Sequence, residues 1–181
     1  DAIYFLLGLA LTFITLTIPF QFNGNYITLF WACEAVLLVW LSQKSKISTF
    51  RIGAIVVQFL MVISLMLDWT QAYSYYSEIV LLPFLNKIFI TGLFAITSFV
   101  ATYFLLKKET EPLKFYFLTI DPKPYKRIAL VCSIVIGYLV GMLEVVYQTI
   151  EFYSNDASIL SYAVVYHYVF TTILVYFLFK F

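Results

Sequence analysis

Histidine, cysteine and charge are all scarce in this sequence. It holds one histidine, two cysteines, and eleven Lys and Arg against ten Asp and Glu in 181 residues. A lone histidine excludes a multi-histidine metal centre built by this chain by itself, and a haem held between helices normally takes two axial ligands. Cys33 and Cys132 fall inside apolar runs with neither ligand spacing nor a secreted-scaffold pattern, so they read as small packing residues. No glycine-rich phosphate loop, serine nucleophile elbow or zinc-helix motif is present. The expectation is therefore no cofactor and no metal. A formal net charge of +1 gives no reason to expect a nucleic-acid partner.

Apolar residues take the place of what is missing. They make up 63% of the chain, charged residues only 12%, and the mean hydropathy is +0.94. Soluble domains hold about 45–50% apolar and about 25% charged residues, so lipid is the expected solvent. Six apolar runs stand out, at 2–20, 26–41, 52–67, 88–106, 128–146 and 159–179. Each is far longer than a barrel strand, and only closed backbone hydrogen bonding survives in hydrocarbon, so each predicts a transmembrane helix. The second and third runs are short for a crossing and need flanking residues such as Asn25 and Trp69. The expected fold is all-α, a single domain of six transmembrane helices arranged as three hairpins.

Charge position orients this bundle. The loops at 42–51 and 107–127 hold Lys44, Lys46, Arg51 and six further Lys and Arg, and Lys180 follows the last apolar run. Ten of the eleven basic residues thus share one side, with Lys87 opposite. By the positive-inside rule that side is cytoplasmic, and so are both ends of the chain. Trp69, Tyr73, Tyr75 and Tyr76 read as an interfacial belt on the outer side, with Asp68 hydrated among them. Residues 77–86, broken by Pro83, predict a short surface helix. The linker 107–127, with Leu113, Phe115, Phe117 and Ile120 among its basic residues, fits either a segment lying along the anionic inner leaflet or a solvated connector. The first residue is Asp1 rather than Met, which suggests a processed chain or part of a longer one. The first run has no basic start and no small-residue cleavage site, so it is expected to remain as a span.

One stretch carries a family likeness. Pro19-Phe-Gln-Phe-Asn-Gly-Asn-Tyr-Ile-Thr-Leu-Phe-Trp-Ala-Cys-Glu34, continuing to Trp40 and Leu41, resembles the bacterial multi-pass membrane proteins of domain-of-unknown-function family 2339. The segment Leu82-Pro-Phe-Leu-Asn86 leading into a helix is similar, and the likeness covers about the first 110 residues. It implies a fragment of a longer, many-spanning protein and no particular activity. Nine Lys against two Arg, with abundant Ile, Phe and Tyr, fit an AT-rich bacterial genome and hence a bacterial inner membrane.

Within the spans the only ionisable residues are Glu34, Glu144 and His167. A charged side chain at mid-membrane costs about 2.5–3.5 kcal/mol or more when it faces lipid, so each needs a partner, a cavity or shallow depth. At about 1.5 Å per residue, all three come about 10–14 Å below the outer surface and form a candidate polar cluster, with a Glu144–His167 contact expected first. Either they are satisfied packing residues or they line an outward-open pocket. Ser133, Gly137 and Gly141 continue into Glu144, Gln148 and Glu151 as one small-then-polar stripe, whose small half should admit a neighbouring helix. Trp31, Glu34, Leu38 and Leu41 share a face of the second helix.

Three functions compete on these residues. The foremost is a structural or assembly component of the cell envelope, or a subunit of a larger membrane complex, whose partners are the bilayer, other membrane subunits or missing parts of the same chain. The second is a transporter or channel-like protein using Glu34, Glu144 and His167. The third is an intramembrane enzyme acting on lipid-linked substrates, with an acid such as Glu34 or Asp68 as base.

Overall fold

The computed structural model describes residues 2–22, 24–73, 82–109, 112–115, 118–153 and 156–180, with residues 113–115, 118–120 and 156 described by backbone alone. Six helices dominate: α1 (Ala2–Gln21), α2 (Asn25–Ser45), α3 (Ser48–Ala72), α4 (Lys87–Lys107), α5 (Pro122–Phe152) and α6 (Asp156–Lys180). All six are long and apolar enough to cross a membrane. Tyr75, Tyr76 and residues 77–81, half of the expected surface helix, lie outside the described residues.

The helices outrun the apolar stretches that predict them. Helix α3 has 25 residues and continues through Arg51 at one end and Asp68 at the other. Helix α5 has 31 residues, about 46 Å at 1.5 Å per residue, against a hydrocarbon thickness of about 30 Å. Hydropathy reports side chains, whereas a helix persists as long as its backbone ladder is closed and its caps are good. The start of α5 shows this. Asp121 Oδ1 accepts the Lys123 N–H at 2.9 Å, and Pro122 occupies the first turn, where its missing donor costs nothing. At the α1–α2 turn Gly24 adopts φ 56°, a left-handed conformation that glycine takes without a Cβ penalty.

Four helices form the core. The dense contacts are α2 with α3, α4 with α5 and α2 with α4, whereas α1 touches α2 only lightly. The closely packed pairs therefore join across the basic loops, one helix out of step with the three expected hairpins. One cluster packs Ala32, Met61, Leu65, Trp69, Ala95 and Val140 from all four core helices. A second, nearer the basic loops, packs Leu38, Val39, Ala54 and Val57 with Leu106 and Tyr125. Helix α1 buries only Ile18, and none of the described side chains of α6 is buried. Within the linker, β1 (Leu113–Phe115) and β2 (Leu118–Ile120) pair as two antiparallel strands, with β1 against α3.

The tightest approach in the core is at Gly92 of α4, where an added Cβ would fall 2.5 Å from Val140 Cγ2 and 3.1 Å from Cγ1. Gly53 is roomier, its nearest neighbour being Leu38 Cδ1 at 3.6 Å. Gly92→Ala is therefore expected to destabilise the bundle by about 1–3 kcal/mol through overpacking against a stiff β-branched side chain. Gly53→Ala should be neutral or slightly stabilising, because alanine is the better helix former. Thermal unfolding of the two variants in detergent, followed by size-exclusion chromatography, tests this; equal midpoints would refute the close α4–α5 contact.

Candidate functional site

Glu144 lies about two turns before the end of α5 and is fully buried. Its two carboxylate oxygens accept from four residues. The Tyr73 hydroxyl donates at 3.0 Å, the Phe84 backbone N–H at 3.0 Å, Asn86 Nδ2 at 3.1 and 2.9 Å, and Gln148 Nε2 at 3.0 Å. Among the described residues no Lys or Arg takes part. The donors described around the acid are all neutral, which suits the acceptor-only carboxylate.

Local structure presents each donor. Tyr73 caps α3 as its ring packs on Tyr147 at 5.4 Å. Burial, and then the neighbouring charge of Glu144, raise the Tyr73 phenol well above its usual range, so it remains a donor. Phe84 takes φ 58°, a strained conformation for a residue with a Cβ, and its N–H points at the carboxylate. Asn86 works twice: its Oδ1 caps α4 by accepting the Phe89 N–H at 2.7 Å, while its Nδ2 binds Glu144. Residues 82–86 are thus an irregular segment held by Glu144, not part of a surface helix.

Glu34, 4% exposed, lies in a different setting. The Thr15 hydroxyl of α1 donates to Oε1, and Oε2, sheltered from solvent, has no hydrogen-bond partner among the described residues. The carboxyl forms part of the wall of a groove of about 700 Å³ between α1 and the α2–α3 pair, otherwise lined by apolar residues such as Leu11, Leu38 and Phe50 with Thr12 and Thr15. Leu38 and Leu41 share its buried face, as the spacing on α2 suggests.

His167 joins neither acid. It is exposed on α6, and its Nδ1 lies 3.2 Å from the Tyr138 hydroxyl. The expected Glu144–His167 contact does not form, because α6 meets α5 through Tyr166, whose hydroxyl donates to the Tyr138 carbonyl at 3.0 Å. Glu34, Glu144 and His167, expected at one depth, have separate partners and do not form one site. Helical depth is set by residue count alone, whereas neighbours are set by which way each face turns.

The small-residue stripe divides between two neighbours. At Gly141 a Cβ would collide with the Tyr166 ring of α6, whereas at Gly137 its nearest contact is Ile96 of α4 at 3.9 Å. Ser133 is buried and bonds to the Leu130 carbonyl of its own helix at 2.7 Å. The sequence gives no warning of Gly92, the close approach between α4 and α5. Trp69 is another difference: it is buried in the core instead of lying in an interfacial belt. Asp68, read as hydrated, is 5% exposed and accepts from Thr28 at 2.7 Å, with Ser64 Oγ also 2.7 Å from Thr28 Oγ1. Cys33 is exposed rather than packed inside.

Polar links at the basic end also escaped the sequence reading. Arg51, apparently a loop charge, is fully buried and pairs with Glu109 at 2.5 Å. Gln43 Nε2 donates to the Leu105 carbonyl at 2.7 Å and to Glu109 at 3.1 Å. Gln58 joins three helices, donating to Thr102 at 2.8 Å and accepting from Tyr125 at 2.9 Å. Comparison with protein-family models, with characterised proteins and with solved structures gives no match.

Glu144→Gln places an amide donor among donors and is expected to cost about 2–4 kcal/mol, the scale of hydrogen bonds to a charged group and of leaving buried donors unmatched. His167→Phe removes one exposed contact and should change stability by less than about 0.5 kcal/mol. Thermal midpoints of the purified variants check both values, and a harmless Glu144→Gln would show that the cage carries no charge-dependent load.

Proposed function

We propose that this chain is a multi-pass protein of the bacterial cytoplasmic membrane, both ends cytoplasmic, acting as a structural or assembly subunit of a larger membrane complex. The observation that carries this reading is how the buried polar groups are used. Glu144, Asp68, Arg51, Glu109 and Gln58 all join one segment of the bundle to another. A solute path would call for polar groups lining an opening, and here they close the structure. The bare faces of α1 and α6 supply surface for lipid or for further subunits. Membership of the family that residues 19–41 resemble, as a piece of a longer protein, belongs to the same reading.

The Lys and Arg bias supports the orientation. A cysteine at Tyr153 is expected to react with a membrane-impermeant maleimide on intact cells, and one at Lys46 only after permeabilisation. For the subunit role, a photo-crosslinker at Val169 on the exposed face of α6 should give a discrete protein adduct in native membranes. Reversed maleimide accessibility would sink the orientation, and an adduct to lipid only would sink the subunit role.

A second reading, a carrier of amphiphiles or protons, is favoured by one observation, the unpaired Glu34 Oε2 at an apolar groove. A hydrophobic carbodiimide dissolved in the bilayer should then form an N-acylurea at Glu34 and leave the enclosed Glu144 untouched, with Glu34→Gln unlabelled. Peptide mass spectrometry reads the outcome, and equal labelling of both acids, or of neither, rejects this reading.

A further inference from the structure

A second groove, of about 1250 Å³, runs between α2 and α4 at their basic ends. Lys44, Lys46, Lys107 and Lys108 line its mouth, and all four are exposed. Its one acid, Glu109, is already paired with the buried Arg51 and accepts from Gln43 besides. The ends of α2 and α4 also face this region, and two helix C-termini together add about one negative charge. Four lysines against that leave about three positive charges with no partner among the described residues.

The wall above the lysines has a different character. Val36 and Trp40 on α2, with Ala101 and Phe104 on α4, continue the groove away from the basic end, and Trp40 and Phe104 are 46% and 59% exposed. From Val36 to Lys44 the apolar wall rises about 12 Å along the helix axis. A free phosphate ion or an acidic soluble peptide would use the lysines and leave this wall bare. A molecule with an anionic head and an apolar tail fills both.

We propose that the α2–α4 groove is a binding site for an anionic glycerophospholipid of the cytoplasmic leaflet, its phosphate among Lys44, Lys46, Lys107 and Lys108 and an acyl chain along Trp40 and Phe104. This rests on the membrane reading above and adds to it a lipid class and a place. Lysines suit the role because ammonium groups on flexible stems reach a phosphate from several directions, and the negative surface potential of that leaflet concentrates such lipids there. The site also touches the Arg51–Glu109 link through Gln43, so an occupying lipid would brace the junction of α2, α3 and α4.

Tryptophan quenching tests the proposal on the full chain in phosphatidylcholine–phosphatidylglycerol nanodiscs, with brominated acyl chains on one lipid at a time. Of the three tryptophans Trp40 is the exposed one, so it dominates the quenching. Phosphatidylglycerol is expected to quench at least about fivefold more effectively than phosphatidylcholine at equal mole fraction. The K44Q/K46Q/K107Q/K108Q variant should bring the two lipids level, while K87Q, at the opposite end, keeps the preference. Native mass spectrometry gives a second readout, phosphatidylglycerol adducts retained by the parent chain and lost from the fourfold variant. Equal quenching by the two lipids, a preference untouched by the four substitutions, or its removal by millimolar inorganic phosphate would overturn the lipid site. Failure of the chain to enter nanodiscs would instead count against the membrane reading, so the two failures are distinct.

Discussion

The Glu144 carboxylate is the point on which the bundle's arrangement turns. An acid buried among apolar helices without a cation is tolerable only if donors saturate it, and here they come from three separate parts of the chain. Meeting that demand fixes the end of α3 through Tyr73, the strained backbone at Phe84 and the first turn of α4 through Asn86. Helix α4 then lies where Gly92 meets Val140. In lipid, apolar contact between helices adds little beyond close packing, since acyl chains are as apolar as leucine. A polar knot of this kind therefore has more influence on which helices become neighbours than the same knot would have in water.

Four acids with enclosed side chains among the described residues show four ways of placing a carboxylate away from solvent. Glu144 is surrounded by neutral N–H and O–H groups. Glu109 has a guanidinium. Asp68 has Thr28, with Ser64 bonded behind it. Glu34 is satisfied on one oxygen only. The first three tie elements together, whereas the fourth faces a groove beside the least packed of the inner helices' neighbours, α1. Stability and openness are thus distributed unequally across the bundle: dense and cross-linked in α2–α5, looser at α1 and α6.

Much of the architecture was legible in the sequence because length and hydropathy encode it directly. Six apolar runs became six helices, extended at their ends by capping that hydropathy does not register. Which residues would carry buried polar contacts was legible only in part. Glu34 and Glu144 stand out as acids inside apolar runs, and both are buried. Their partners were not predictable, because Tyr73, Phe84 and Asn86 reach Glu144 from a loop whose course depends on tertiary packing. The enclosure of Arg51, a loop charge by its position, and of Asp68, expected to be hydrated, is hidden for a related reason. A charge near a helix end can face water or be enclosed, and sequence spacing alone does not say which. His167 shows the converse error: an ionisable residue at the right depth can lie on a face the core never covers.

The order of the residues around Glu144 has a consequence for biogenesis. Tyr73, Phe84 and Asn86 all precede Glu144 in the chain, so ribosomal synthesis makes the receptor before the charge it receives. On the membrane reading, α5 leaves the insertion machinery carrying an acid that a lone helix would hold in lipid only at a penalty. The α3–α4 segment already made offers that helix a destination. Assembly of the bundle is thereby given a direction in time: the late helix is drawn to the early ones by the donors they hold, which its own Gln148 cannot replace in full.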